Sequence, residues 1–185
     1  MDRSEQAKRY YQWKRYQHRN EKELTEWAHK RGLEGSGEFF LAEAFSRVCL
    51  EKAIRRWFPF DIEIRQMGMY DHFDAFVPYP ISVIEGKFRL NDSDEYPTDD
   101  ITMKKADYVA MVDSGCPAYL ACIFFDGVVR FYNIGDWNGT GTWTHSGTTA
   151  GGGDLKTEMR VQYDPKDAVF TTTITLPDWT DYAFE

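Results

Sequence analysis

An α/β layer structure with a mixed central β-sheet flanked by helices is the fold class that the 185-residue sequence predicts. Three observations carry it: a long helical pattern that stops at Pro59, several short apolar runs with strand period between Asp61 and Leu176, and a second helical pattern lying between two of those runs. Helix, strands, helix and strands in that order are what one sheet with helices packed on it requires. No internal repeat or separate linker interrupts the order. Residues 35–185 therefore read as one domain, long enough to bury a sizeable core, and residues 1–34 as an N-terminal helical extension.

The extension comes first. Ser4 to Arg31 contains no Gly or Pro and is rich in Lys, Arg, Glu and Gln, which predicts a helix. Lys8, Arg9, Lys14, Arg15 and Arg19 interleave there with Tyr10, Tyr11, Trp13 and Tyr16. Such a mixture can neutralise phosphates and stack on bases; it also suits a surface helix whose rings pack onto the body. Gly32 to Gly37 breaks the pattern, and Glu38 to Phe58 predicts a largely buried helix ended by Pro59. At about 100° per residue its apolar side is Leu41, Ala42, Phe45, Val48 and Cys49. Glu43, Arg47 and Glu51 fall opposite, at i,i+4 spacing on what should be an exposed face. Glu38 lies in line with the apolar side, in the first turn.

From Phe60 the period shortens. Phe60 to Val77 and Ile81 to Leu90 read as strands joined by a Pro78-Tyr79-Pro80 turn. The acidic stretch Asn91–Asp100 reads as a loop, with Asp99 or Asp100 capping a helix over Ile101–Asp113 that Gly115 closes. Pro117–Phe125 is apolar throughout, as a strand buried in a central sheet is. Asp126-Gly127 predicts a tight hairpin into Val128–Ile134. Residues 135–153 are rich in Gly and Thr and read as a loop or flap over a substrate, with Lys156 beyond it, and Ala168–Leu176 reads as the closing strand.

Composition limits the function classes. The formal net charge of −8 argues against a general nucleic-acid coat protein, but the charge is uneven. Residues 1–31 hold nine Lys and Arg against five Asp and Glu, and the rest thirteen against twenty-five. No apolar run approaches the length that spans a bilayer, and the N-terminal stretch has no apolar signal region, so a cytoplasmic protein without membrane contact is expected. Cys49, Cys116 and Cys122 lack metal-ligand spacing and sit among apolar neighbours, as reduced core thiols do.

One stretch stands out chemically. "FDAFVPYPISVIEGKFRL", residues 73–90, carries Asp74, Glu85 and Lys87 inside apolar runs, where a charge is costly unless something pairs with it or uses it. Alternate residues of a strand share a face, so Glu85 and Lys87 point the same way. Gly86 between them permits a close approach, and hairpin-like pairing brings Asp74 beside Glu85. Two carboxylates at one place repel, and a hard divalent cation such as Mg²⁺ relieves that. With a lysine next to the ion and its water, this is the set that metal-assisted phosphodiester hydrolysis needs. A structural ion-pair network would use the same residues.

Asp-x10-Glu-x-Lys on two strands after a long helix resembles the PD-(D/E)XK nuclease superfamily, which includes restriction endonucleases, Holliday-junction resolvases and phage exonucleases. The resemblance covers about residues 35–134 and implies a restriction-endonuclease-like mixed sheet. It implies that Asp74 and Glu85 bind Mg²⁺ or Mn²⁺ with the Gly86 carbonyl, and that Lys87 acts on the attacking water. Asp71 is a rival metal aspartate, although "DAFV" leads directly into a strand from Asp74. Many members add a glutamate from the first helix, which Glu38 or Glu43 could supply; the helical wheel favours Glu38. Members also often take a Lys from the following helix, and Lys105 fits that place. DNA is the partner so implied, with Lys104, Lys156 and the basic residues of the extension as backbone contacts. A homodimer stays open, since nucleases that cut both strands are often dimers. The alternative is a catalytically inactive nuclease-fold module that binds nucleic acid or protein.

Overall fold

The structure is a computed structural model and describes residues 8, 41–58, 60–67, 71–134, 142–146 and 156–177. Its first full element is helix α1 (Leu41–Trp57). Strands β1 (Arg65–Gln66), β2 (Ala75–Pro78) and β3 (Ile81–Phe88) follow, then β4 (Asp99–Lys104) running directly into helix α2 (Lys105–Asp113). β5 (Ala118–Ile123) and β6 (Val128–Asn133) form a hairpin, and β7 (Thr142–Ser146), β8 (Lys156–Tyr163) and β9 (Phe170–Thr173) follow among the described residues.

Among the described residues the strands make two sheets. The larger is mixed, in the order β1-β2-β3-β5-β6-β9, and the smaller is β4-β8-β7. In the larger sheet β3 and β5 are parallel and their neighbours antiparallel. A parallel pair cannot be closed by a hairpin; here β4 and α2 form the crossover. The predicted class, an α/β fold around a central mixed sheet with helices on it, is what the chain adopts.

Strand alternation distributes the core to both faces of the larger sheet. On one face, Phe45, Cys49, Ala53 and Ile54 of α1 pack against Ala75, Val77, Ile84, Ala121, Ile123 and Phe131. Trp57 closes that end, stacked on Phe170 at 5.5 Å and edge-on to Tyr119 at 4.7 Å. On the other face, Val83, Leu120, Cys122 and Tyr132 meet Ile101 and Met103 of β4, Val161 and Tyr163 of β8, and Met111 of α2. Burial pushes the Cys49 and Cys122 thiols up to about 12, so both are held neutral.

Four expectations are corrected. Residues 101–104 are strand and not helix: Asp99, Ile101 and Met103 are buried in alternation, and β4 pairs along its length with β8. Asp99 is not a helix cap; it lies 2% exposed, held by Arg130 Nη1 at 2.9 Å and by the Tyr132 hydroxyl, and so ties the two sheets together. The Gly/Thr-rich segment contains β7, paired with β8 from Thr142↔Arg160 to Ser146↔Lys156. Among the described residues between Phe60 and Val77, only Arg65–Gln66 and Ala75–Val77 are strand. The Asp126-Gly127 turn is as expected: Gly127 has φ +85, and a Cβ there would collide with the Ile174 carbonyl. The predicted helical extension lies outside the described residues except at Lys8, which is helical and exposed.

Candidate active site

β2 begins at Ala75, paired with Ile84 of β3, and the antiparallel ladder stops one residue earlier in the chain. There Asp74 takes over. Its amide donates to the Ile84 carbonyl (3.0 Å), and its Oδ2 accepts the Gly86 amide (2.8 Å). A side chain thus replaces the next backbone partner of β3 and fixes the Asp74 carboxylate against the Glu-Gly-Lys segment. Gly86 fits because little room is left. A Cβ on it would lie 3.1 Å from Leu50 Cδ2 of α1 and 3.6 Å from Asp74 Oδ2. Gly86→Val should accordingly displace that carboxylate and destabilise the protein by about 1–3 kcal/mol in urea unfolding; an unchanged midpoint would mean that Leu50 simply moves aside.

Glu85 and Lys87 stand on the same face of β3, away from α1, and form an ion pair with each other. The Glu85 side chain is 10% exposed and that of Lys87 32%, so the pair opens to solvent through the lysine. Across the sheet, the row through Glu85 continues to Leu120 and Tyr132, and the row through Lys87 to Cys122 and Arg130.

The fourth member of the cluster was not expected. Arg47, placed on an exposed helix face by the sequence, is only 4% exposed. One guanidinium nitrogen donates to the Met67 carbonyl and the other lies 3.5 Å from Asp74 Oδ1. The helical wheel held the signal, because Arg47 is three and seven residues before Leu50 and Ile54, which are 3% and 0% exposed.

Asp74 has the perturbed carboxyl of the site. Burial pushes it up to about 7, and the neighbouring Glu85 carboxylate adds to the rise. Lys87, Arg47 and the Gly86 amide oppose it without cancelling it. A carboxyl so placed binds a proton near neutrality, and a hard divalent cation can take the proton's place. Two carboxylates placed in this way fit Mg²⁺ or Mn²⁺, which commonly binds through one or two carboxylates and keeps its waters. Among the described residues no group of three or more His, Cys, Asp and Glu side chains is placed to hold an ion.

The other candidates are distributed as follows. Asp71 is exposed in the bend before β2. His72 turns to α2, with Nδ1 2.9 Å from Asp107 Oδ1. Lys104 ends β4 and Lys105 opens α2, both exposed. Glu43 is in the first turn of α1, one turn ahead of Arg47, and Lys156 opens β8. Glu38, Arg9, Lys14, Arg15 and Arg19 lie outside the described residues.

Compared with known proteins, the chain matches no family model and no curated protein. Among solved structures it is similar to Hjc, a Holliday junction resolvase from the archaeal hyperthermophile Archaeoglobus fulgidus. The alignment covers 70% of this chain and 91% of that one, with 11% identity and a TM-score of 0.41.

Proposed function

We propose that this protein is a divalent-metal-dependent nuclease that hydrolyses phosphodiester bonds of DNA. The observation that carries the reading is the convergence of Asp74, Glu85 and Lys87 where the β2–β3 ladder ends, with the Asp74 carboxyl raised to about 7 by burial and by Glu85. Asp74 and Glu85, with the Gly86 carbonyl, would hold Mg²⁺ or Mn²⁺. When bound, the ion lowers the pKa of a coordinated water and offsets charge on the phosphate. Lys87 is kept at the carboxylates by its pairing with Glu85, where it would orient the attacking water or meet a phosphate oxygen. Arg47 fixes Asp74 from behind, from the side of the core. Glu38 or Glu43 would supply a further acidic ligand from the first helix. Lys105 of α2 is assigned to the lysine place that the following helix fills at the site, and Lys104 and Lys156, with the basic residues of the extension, to the DNA backbone.

A second reading is favoured by the charge balance. Two carboxylates face one lysine and one arginine, so their formal charges cancel, as in a nuclease-fold module that binds without cutting. Incubation with plasmid and linear DNA in Mg²⁺ or Mn²⁺ separates the two. The nuclease reading expects cleavage that Lys87→Ala lowers roughly 100-fold or more, the low end of the effect of losing a positioned proton-transfer group. Equal cutting by the variant would remove Lys87 from the mechanism; no cutting by the wild type would leave the module.

A further inference from the structure

Beyond Lys87, the same face of β3 runs on to Arg89, which continues the parallel pairing by donating its amide to the Ile123 carbonyl at 2.7 Å. At about 3.3 Å of rise per residue, Arg89 lies roughly 7 Å past Lys87. Here the two sheets part and leave a cleft of about 470 Å³. Arg89, Cys122 and Phe124 belong to its large-sheet side, and Asn91, Tyr96 and Thr98 come from the segment that leads into β4. Cys122 is the cross-strand partner of Lys87, so the cleft begins one strand away from the candidate centre.

The chemistry of the lining points to the occupant. Arg89 of the lining donates to the Asp100 backbone carbonyl, and Arg130 behind it, lying 5.1 Å above the Phe124 ring, donates to Asp99 and to the Ser93 carbonyl. Committed in this way, the guanidinium groups do not form a phosphate cradle. What is left open to a ligand is planar and polar, with the Tyr96 ring 58% exposed at the rim and the side chains of Asn91, Thr98 and Gln162 beside it. Flat aromatic surface with amide and hydroxyl groups around it is what recognises a nucleobase by stacking and by its hydrogen-bonding edge.

We infer that this cleft receives one unpaired nucleobase of the DNA strand, next to the phosphate held at Asp74, Glu85 and Lys87. The inference rests on the nuclease reading for its placement and adds the substrate class to it: DNA with single-stranded, mispaired or branched nucleotides, because a paired base must first leave the stack, at a cost, to enter.

The test is made in EDTA, where binding is followed without cleavage. Short single-stranded and duplex oligonucleotides carrying one 2-aminopurine are titrated with the wild-type protein, with Tyr96→Ala and with Tyr96→Phe, while melting curves confirm an unaltered fold. The expected result is quenching of 2-aminopurine by the wild type and a roughly tenfold weaker affinity of Tyr96→Ala for the single strand, with little change for the duplex and recovery by Tyr96→Phe. Equal affinity of Tyr96→Ala and wild type, an equal loss on single strand and duplex, or no quenching would overturn the inference. A protein that quenches in this way and cuts no DNA in Mg²⁺ or Mn²⁺ would keep the cleft and lose the nuclease.

Discussion

Asp74→Asn removes DNA cleavage and, in the absence of metal, makes the protein more stable above neutral pH. Loss of cleavage follows from the proposed role of Asp74 as a metal carboxylate. The gain in stability follows from its environment. The folded-state pKa is about 7 against an ordinary 3.8, so the folded protein binds the proton more tightly than the unfolded chain does. Protonated Asp74 therefore contributes stability that is fully present below pH 4 and is lost as pH rises through 7. A shift of this size corresponds to about 4 kcal/mol, and the side chain is only 16% exposed, so solvent screens little of it. Asparagine resembles the protonated acid and loses nothing with pH. In EDTA the variant should melt on the order of 10 °C above the wild type at pH 8 and close to it at pH 4. In Mn²⁺ the gap at pH 8 narrows, because only the wild type gains from the ion. A variant equal to or below the wild type at pH 8 in EDTA would show that Asp74 is ionised without cost.

Arg47→Met should produce the second large effect. Removing one partner of a buried ion pair leaves the other charge uncompensated, but Asp74 can take up a proton, and with its pKa at about 7 that limits the charge part of the loss at pH 8 to about 1–1.5 kcal/mol. Arg47 is also one of the groups that hold the Asp74 carboxyl down, so its loss raises that group further. The destabilisation should therefore be greater at pH 8 than at pH 5 by about 1–1.5 kcal/mol, because at pH 5 Asp74 already carries the proton that removes the unpaired charge. Urea midpoints at the two pH values measure this. An equal loss at both would assign Arg47 to the Met67 carbonyl and to packing, not to Asp74.

These two residues also mark what could be read from the sequence. Glu85 and Lys87 share a face by strand parity alone, and Asp74 is near them because a short turn forces β2 back along β3. Both are local relations, and local relations survive in a sequence. Arg47 was misplaced because a charged residue is assigned to solvent by default, although Leu50 and Ile54 on its own stripe pointed inward. The helix expected over residues 101–104 failed for a different reason. Its partner β8 lies some sixty residues further on, beyond a Gly-rich tract, and tertiary pairing overrode the capping pattern of Asp99 and Asp100. The alternation of Asp99, Ile101 and Met103 was the visible sign, but a buried aspartate does not read as a core residue until Arg130 and Tyr132 are seen to meet it.

The parallel pairing of β3 with β5 carries a design consequence. Because the two strands run the same way, the chain must travel back before it can re-enter the sheet, and residues 89–117 make that journey on the face that presents Glu85 and Lys87. The return path is at once scaffold and wall. Asn91 and Ser93 are tied to Phe125, Asp126 and Arg130, whereas residues 94–98 lie between strands and contribute to no sheet ladder, so their chemistry can be exchanged with little effect on the framework. If the protein is the nuclease proposed, grafting other sequences into that segment would retune its selectivity without touching the residues assigned to the chemistry, so that selectivity and reactivity could be engineered as independent modules.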